Sequence, residues 1–426
     1  MHRHRTLMDY RIFPPDEIVE TTVALPPAKS IAARELIIDY LSGEALTLPD
    51  GEPCDDIRRL AEILSTPLEG TIDVGASGTA MRFLTALCAA TEGVTVRLTG
   101  DDSLRARPVG PLVEALRSLG AEITCATREG FPPLDIRGRR LRGGELRLDV
   151  GVSSQYASAL MLVAPTMEKP LTIRLEGRSE LSPYIAMTAA VMGRRGIEVD
   201  CDALAVEVAT GRYSAGASEP ERDWSAATFW YEIASLTAGW VTLPGLRADS
   251  LQGDRGVADL FARMGVVTEF TSEGAELSAD PDLYGHIDVD LSAMPDAVPA
   301  VAVTACMAGI PFVLRGVESL RHKESDRLAA LRDELAKLGF VLTIENYDSE
   351  LRWDGSRRPI HALPDFGSHG DHRIAMALAP VAVFVPGIVV RHAETASKSY
   401  PSYWHDLAAA GFRLADPSDP LPDPQQ

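Results

Sequence analysis

The chain has no excess of positive charge, no cysteine-pair motif and no apolar leader. Its 426 residues carry a net charge of −20. That opposes nucleic acid or an anionic membrane as a partner, since both are held through basic surface. The five cysteines, Cys54, Cys88, Cys125, Cys201 and Cys306, make no CxxC and no zinc-like spacing. Their scattered, mostly apolar settings fit reduced thiols in a cytoplasmic protein. The opening MHRHRTLMDYRIF has charge but no apolar stretch of the kind a secretory signal needs. There is no GxxxxGK or GxGxxG for a nucleotide, and GASGT and GVSSQ are not the GxSxG of a serine-hydrolase elbow. HGDH, with His369, Asp371 and His372, lacks a helical i,i+4 histidine pair and a third ligand, so no metal is expected. The uncharged run 374–390, IAMALAPVAVFVPGIVV, is broken by Pro380 and Pro386 and reads as a buried helix followed by a strand, not a membrane span.

What is present is the composition of a globular protein, 46% hydrophobic and 24% charged, with disorder expected only in the tail PSDPLPDPQQ. The length exceeds one ordinary core, so two domains are expected. One pattern recurs: a strand ending near glycine, a polar loop, an amphipathic helix, then a glycine before the next strand. VRLTGDDSLRARPVGPLVEALRSLGAEI and FVLRGVESLRHKESDRLAALRDELAKLGFVL show it best. The closing glycines, Gly120, Gly196, Gly265, Gly339 and Gly411, recur about every 70 residues. Glycine suits that place because it takes the left-handed conformation at a helix end without penalty. Between the amphipathic helices lie six stretches that are apolar all round, among them SGTAMRFLTALCAA and DAVPAVAVTACMAG. A helix without a polar face is buried on all sides. With CDDIRRLAEILS as a first amphipathic partner, the expectation is an α/β protein of six repeated units, three per domain. The charged stretch ASEPERDW at 217–224 is taken as the crossover. The expected domains are 28–221, and 1–27 with 222–426.

The entries to the buried helices read PPAKS, GASGT, GVSSQ, RDWSA, MPDAV and GDHRI. Taken singly, each is explained by helix capping. Together they carry more, because Lys29, Arg82 and Arg373 stand at helix starts, where their charge opposes the helix dipole. Cations in such places imply an anion or carboxylate close by. The amphipathic helices repeat the habit with Arg107 in RARP, Lys323 and Arg327 in KESDR, and Lys398 in ASKSY. Lys323 and Arg327 share a face if the helix already includes both. With Arg34, these cations arise from both halves of the chain, so a cleft between two domains is the expected site.

In order, PPAKSIAAR, GASGTAMR, RARPVGPL, SSQ, PDA, KESDRL, DHR and SKSYP resemble the motifs of the 5-enolpyruvylshikimate-3-phosphate synthases, over roughly residues 20–415. The resemblance implies a two-domain inside-out α/β barrel with buried central helices surrounded by sheets and amphipathic helices. It implies transfer of the enolpyruvyl group of phosphoenolpyruvate to the 5-hydroxyl of shikimate 3-phosphate, in a cytoplasmic monomer, with no metal or organic cofactor. By motif, Lys29, Gly78, Arg82, Arg107, Gln155, Arg327, Arg373 and Lys398 would bind phosphoenolpyruvate. Lys29, Ser30, Arg34, Ser153, Ser154, Gln155, Tyr184, Asp296, Ser319 and Lys323 would bind shikimate 3-phosphate. Asp296 and Glu324 would carry the protons, assisted by Lys29.

Departures from the family pattern are Pro27-Ala28 before Lys29, Ala32-Ala33 before Arg34, Ala76, Leu181 and Ser319. They touch the contacts to shikimate 3-phosphate rather than the proton-carrying residues. Two other readings use the same scaffold. The enolpyruvyl transferase acting on UDP-N-acetylglucosamine typically carries a cysteine in the loop that here reads GDDSLRARP. A noncatalytic phosphoanion-binding protein is opposed by the joint presence of Lys29, Asp296 and Glu324.

Overall fold

The computed structural model describes residues 8–48, 50–151, 153–177, 180–216, 221–279 and 285–419. Residues 217–220 of the expected crossover and 420–426 of the tail lie outside these described residues. The chain divides into two compact units, each with its own apolar core. One comprises Pro27–Glu221 with Leu251–Gly253, and is called here the first unit. The second comprises Met1–Pro26, Arg222–Ser250 and Asp254–Gln426.

Five four-stranded sheets share one plan among the described residues. A parallel pair comes first, then a strand antiparallel to its second member, then an edge strand. In the first unit, Glu69–Asp73 pairs with Thr95–Thr99, followed by Leu134–Arg137 and Glu122–Cys125. Gly144–Asp149 pairs with Leu171–Glu176, followed by Ala205–Val208 and Val199–Cys201. Side chains in LTIRLE (171–176) alternate between core and solvent, as a sheet covered on one side requires.

The second unit repeats the plan three times. Glu20–Thr22 pairs with Trp240–Pro244, Ile287–Asp290 with Phe312–Arg315, and Asp365–Gly367 with Ile388–Arg391. The last sheet is completed by Tyr10–Phe13 from near the start of the chain, set between Ile388–Arg391 and Arg413–Ala415. The sixth unit is represented by its helices alone: Lys29–Ser42 and Asp55–Leu64 have no four-stranded sheet of their own among the described residues.

Parallel neighbours need a crossover, and the apolar helices supply it. Gly78–Ala90 joins Glu69–Asp73 to Thr95–Thr99, and Val298–Ala308 joins Ile287–Asp290 to Phe312–Arg315. The start of each such helix therefore lies just beyond the C-terminal end of a parallel strand, where open α/β sheets leave room for ligands. Gly120, Gly196, Gly265, Gly339 and Gly411 all have φ between 79° and 102°, the left-handed region in which a side chain is strained. The run 374–390 lies in a helix, His372–Leu378, a 3-10 turn, Ala379–Val383, and the strand beginning at Ile388. No helix among the described residues is long and apolar enough to cross a membrane.

One residue conflicts with this packing. Glu232, inside the apolar helix Trp224–Thr237, is 0% exposed, and neither carboxylate oxygen has a hydrogen-bond partner among the described residues. Burial raises its pKa well above the ordinary carboxyl value, so the folded chain keeps the proton. Below the ordinary value both folded and unfolded chains hold it, and the group adds no pH dependence. Above that value only the unfolded chain releases the proton, so stability falls as pH rises, by up to about 1.4 kcal/mol per pH unit. Glu232→Leu is expected to raise the thermal midpoint, and by more near pH ~8 than near pH ~4. Thermal unfolding at both pH values checks this, and an equal shift at the two would contradict it.

Candidate active site

In the first unit the loop after Glu69–Asp73 is built from local hydrogen bonds. Asp73 accepts from the Gly75 N–H at 2.8 Å, and Ser77 caps the next helix by accepting from the Ala80 N–H at 3.3 Å. Gly78 opens that helix, and two guanidinium groups lie over its α-carbon. A Cβ there would stand 2.7 Å from Arg82 Nη1 and 2.8 Å from Arg107 Nη2. Arg82 also donates to Gln155 Oε1 at 3.1 Å, and the Gln155 amide donates to Thr79 Oγ1 at 3.3 Å. The guanidinium sits 5.5 Å from the centre of the Tyr156 ring, whose hydroxyl donates to the Pro108 carbonyl beside Arg107. Ser153 accepts from the Gln155 N–H, and Ser154 is the buried residue before that helix. Gly78, Arg82, Arg107, Ser153, Ser154 and Gln155 are thus one group.

Lys29 and Arg34 stand on the helix Lys29–Ser42. Lys29 pairs with Asp56 at 3.3 Å, the carboxylate that a cation at a helix start calls for. Arg34 is 1% exposed. It donates to Thr188 Oγ1 (2.7 Å), Ser158 Oγ (3.0 Å), and the carbonyls of Ser30 (2.7 Å) and Tyr184 (3.2 Å). All four acceptors are uncharged. Burial accordingly lowers its pKa to about 10, which still leaves a full positive charge at neutral pH. Its guanidinium lies 5.4 Å from the Phe83 ring on the Gly78–Ala90 helix, linking the two groups. Ala32 and Ala33 are buried in the core. Hydroxyls come instead from Ser158 and Thr188, which are bonded to each other at 2.8 Å.

The second unit gathers the remaining candidates into one charged network. Asp296, two residues before Val298–Ala308, accepts from Arg327 Nη1 at 2.8 Å and Arg373 Nη2 at 3.0 Å, with Lys323 Nζ at 3.5 Å. Glu324 accepts from Arg327 Nη2 at 2.9 Å and Lys398 Nζ at 3.0 Å. Behind them Asp371, 0% exposed, accepts from Arg327 Nε at 2.7 Å and from the Arg373 N–H at 3.0 Å. Burial opposes the charge on Arg327, but Asp371, Glu324 and Asp296 outweigh it and raise its pKa. Arg373 is raised in the same way, with Asp296 the leading cause against burial. The protein's own carboxylates occupy the donors that an anionic substrate would take.

The structure starts the KESDR helix later than a shared face of Lys323 and Arg327 requires. Its helix begins at Arg327, capped by Asp326, which accepts from the Ala329 N–H at 3.1 Å. Lys323 instead follows the 3-10 turn Glu318–His322, so it and Arg327 share no helix face, and both reach Asp296. Ser319 is half-buried within that turn. Ser325 donates to Asp371 at 3.2 Å. Asp371 is itself the residue that sequence reasoning missed. In GDHR it reads as a helix cap, which it also is, and nothing local shows that it holds Arg327.

A family model described as EPSP synthase (3-phosphoshikimate 1-carboxyvinyltransferase) matches residues 64–407. A 3-phosphoshikimate 1-carboxyvinyltransferase from Bacteroides fragilis (strain YCH46) is 41% identical over 409 residues, covering 96% of this chain and 99% of its own. The chain belongs to the EPSP synthase family. A second relative of that printed name, from Syntrophobacter fumaroxidans, is 34% identical over 412 residues, 91% of this chain and 96% of its own. A solved EPSP synthase structure from Acinetobacter baumannii has a TM-score of 0.74, covering 96% of this chain and 100% of that one at 21% identity. That likeness shows the EPSP synthase fold. Of the departures from the EPSP synthase motif pattern, Ala32 and Ala33 lie beside the buried Arg34 on its own helix. The residues bonded to Asp296 and Glu324 keep the pattern.

Proposed function

We propose that this protein transfers the enolpyruvyl group of phosphoenolpyruvate to the 5-hydroxyl of shikimate 3-phosphate, releasing inorganic phosphate. The observation that carries the mechanism is that Asp296 and Glu324 bond to opposite ends of one guanidinium, Arg327, with Lys323, Arg373 and Lys398 on the same carboxylates. Two carboxylates some ångströms apart among cations suit a reaction that moves two protons between anions.

Asp296 takes the proton from the 5-hydroxyl as the hydroxyl oxygen bonds to C2 of phosphoenolpyruvate, while Glu324, protonated from water when the substrate anions draw its cations away, gives that proton to C3. The tetrahedral intermediate then returns a C3 proton to Glu324 and expels phosphate, which leaves with the proton held by Asp296, restoring the carbon–carbon double bond. Lys29, Arg82, Arg107, Gln155, Arg327, Arg373 and Lys398 bind phosphoenolpyruvate, with Gly78 giving close backbone approach. Lys29, Ser30, Arg34, Ser153, Ser154, Gln155, Tyr184, Asp296, Ser319 and Lys323 bind shikimate 3-phosphate. The reading includes a cytoplasmic monomer, and the net charge of −20 opposes nucleic acid or an anionic membrane as a partner.

Phosphate release tests the reading. The full chain with both substrates is expected to release phosphate, and to release none when UDP-N-acetylglucosamine replaces shikimate 3-phosphate. Binding of both substrates without release would leave the phosphoanion-binding reading. Release only with the nucleotide sugar would reassign the acceptor.

A further inference from the structure

Asp254 lies in the loop QGDRG, which leads into the short helix Val257–Ala262. No motif gives it a role, yet it is 4% exposed. One carboxylate oxygen takes the hydroxyl of Ser225, in the first turn of Trp224–Thr237. The other is buried and has no hydrogen-bond partner among the described residues. A buried carboxyl oxygen left without a donor is costly in a folded protein and calls for a reason.

Its charged surroundings point to one. Asp296 repels it, Arg373 attracts it, and Asp223, which caps the Trp224–Thr237 helix, adds a smaller repulsion. Arg255, next in the chain, turns away to Asp259 and the Ala248 carbonyl. Arg327, with Asp371 and Glu324, belongs to the next shell, beyond Asp296 and Arg373. The backbone brings the two carboxyls together: a Cβ on Gly256, two residues after Asp254, would stand 3.2 Å from Cε of Met294, two residues before Asp296, and Asp296 holds the Arg373 guanidinium at 3.0 Å.

We propose that Asp254 is a positioning residue for the transfer reaction, a buried carboxyl whose charge sets how strongly Asp296 attracts a proton and how firmly Arg373 is held. The inference rests on Asp296 being the base. When the phosphoenolpyruvate anion takes Arg373, Asp296 loses that hydrogen bond, and Asp254 remains as the fixed counter-charge. Burial first, then Asp296, pushes the Asp254 carboxyl up to about 7. Below that pH it is neutral and Asp296 is the weaker base. Above it, a second negative charge makes Asp296 more basic.

The test is kcat at saturating substrate from about pH 5 to about pH 9 for the full-length wild type, Asp254→Asn, Ser225→Ala and Asp296→Asn. The wild type is expected to gain roughly three- to tenfold in kcat through neutral pH. Asp254→Asn abolishes that rise and stays at the low plateau. Ser225→Ala removes the hydrogen bond that favours the ionised carboxyl, and moves the rise to higher pH. A merely structural Asp254 would change stability and leave the profile in place. An unchanged rise in Asp254→Asn, or no rise in the wild type, overturns the proposal. If Asp254→Asn does not fold, Ser225→Ala decides, since an unmoved profile there also overturns it. Loss of turnover in Asp296→Asn with an unmoved profile in the other variants removes this inference alone. Full turnover in Asp296→Asn removes the base assignment beneath it.

Discussion

Glu324→Gln is expected to lower kcat roughly a hundred- to ten-thousandfold while both substrates still bind. Glutamine has the size of the native side chain, and its oxygen can still accept from Arg327 or Lys398. It cannot give a proton to C3 or take one back. The native carboxylate accepts from Arg327 on one oxygen and from Lys398 on the other. The amide has only one acceptor, so its N–H₂ must face one of two cations, and a modest rise in KM for phosphoenolpyruvate accompanies the loss of kcat. Phosphate-release kinetics and calorimetric binding of each substrate separate the two effects. Turnover equal to the wild type would take Glu324 out of the mechanism.

Arg327→Met is expected to damage both stability and function. The guanidinium joins Asp371, Glu324 and Asp296, and Asp371 has no exposure to water. Without Arg327, Asp371 keeps the Ser325 hydroxyl and the Arg373 N–H but loses its only direct ionic partner among arginine and lysine side chains in the described residues. Removing one side of a buried ion pair costs about 3–5 kcal/mol. At about 2–4 °C per kcal/mol for a unit of this size, the midpoint falls by about 6–20 °C. The double variant Arg327→Met with Asp371→Asn is expected to recover much of that stability, because no uncompensated charge remains, and none of the activity. Thermal unfolding and phosphate release on the single and double variants check both halves. Equal stability in the single and double variants would mean that Asp371 is not what Arg327 neutralises.

Much of the architecture was legible because it depends on local rules. A helix that must end and reverse needs a residue at positive φ, and the five closing glycines mark that point with no reference to the rest of the chain. A helix apolar all round can only be buried, so SGTAMRFLTALCAA and DAVPAVAVTACMAG declared themselves central. The cations at helix starts were legible for a similar reason: their charge opposes the local dipole, so Lys29, Arg82 and Arg373 implied partners elsewhere. For Lys29 and Arg373 those partners are the carboxylates of Asp56 and Asp296, whereas Arg82 donates to the neutral Gln155 amide. None of these pairings is encoded by spacing, since Gln155 lies 73 residues from Arg82 and Asp296 lies 77 from Arg373.

Less legible was anything in which one residue type serves two purposes. Asp371 satisfies every local requirement of a helix cap, so its second task, holding Arg327, left no mark in the sequence. KESDR offered several acceptable helix starts, and Asp326 rather than Lys323 supplies the cap because its carboxylate reaches the Ala329 N–H. Asp254 stands in the polar loop QGDRG, and its burial follows from which helices pack over it.

By itself, then, the sequence determined the repeating α/β plan, the buried helices and the set of cations and carboxylates available for chemistry. These follow from backbone conformation, hydrophobic periodicity and charge, all of which act over a few residues. Tertiary structure alone decided which carboxylate each cation holds. It also decided that Arg34 is surrounded by uncharged oxygens, and that Asp254 is shut away beside Asp296. Such pairings depend on distances between residues far apart in the chain, and electrostatic and desolvation effects depend on those distances and on the exclusion of water.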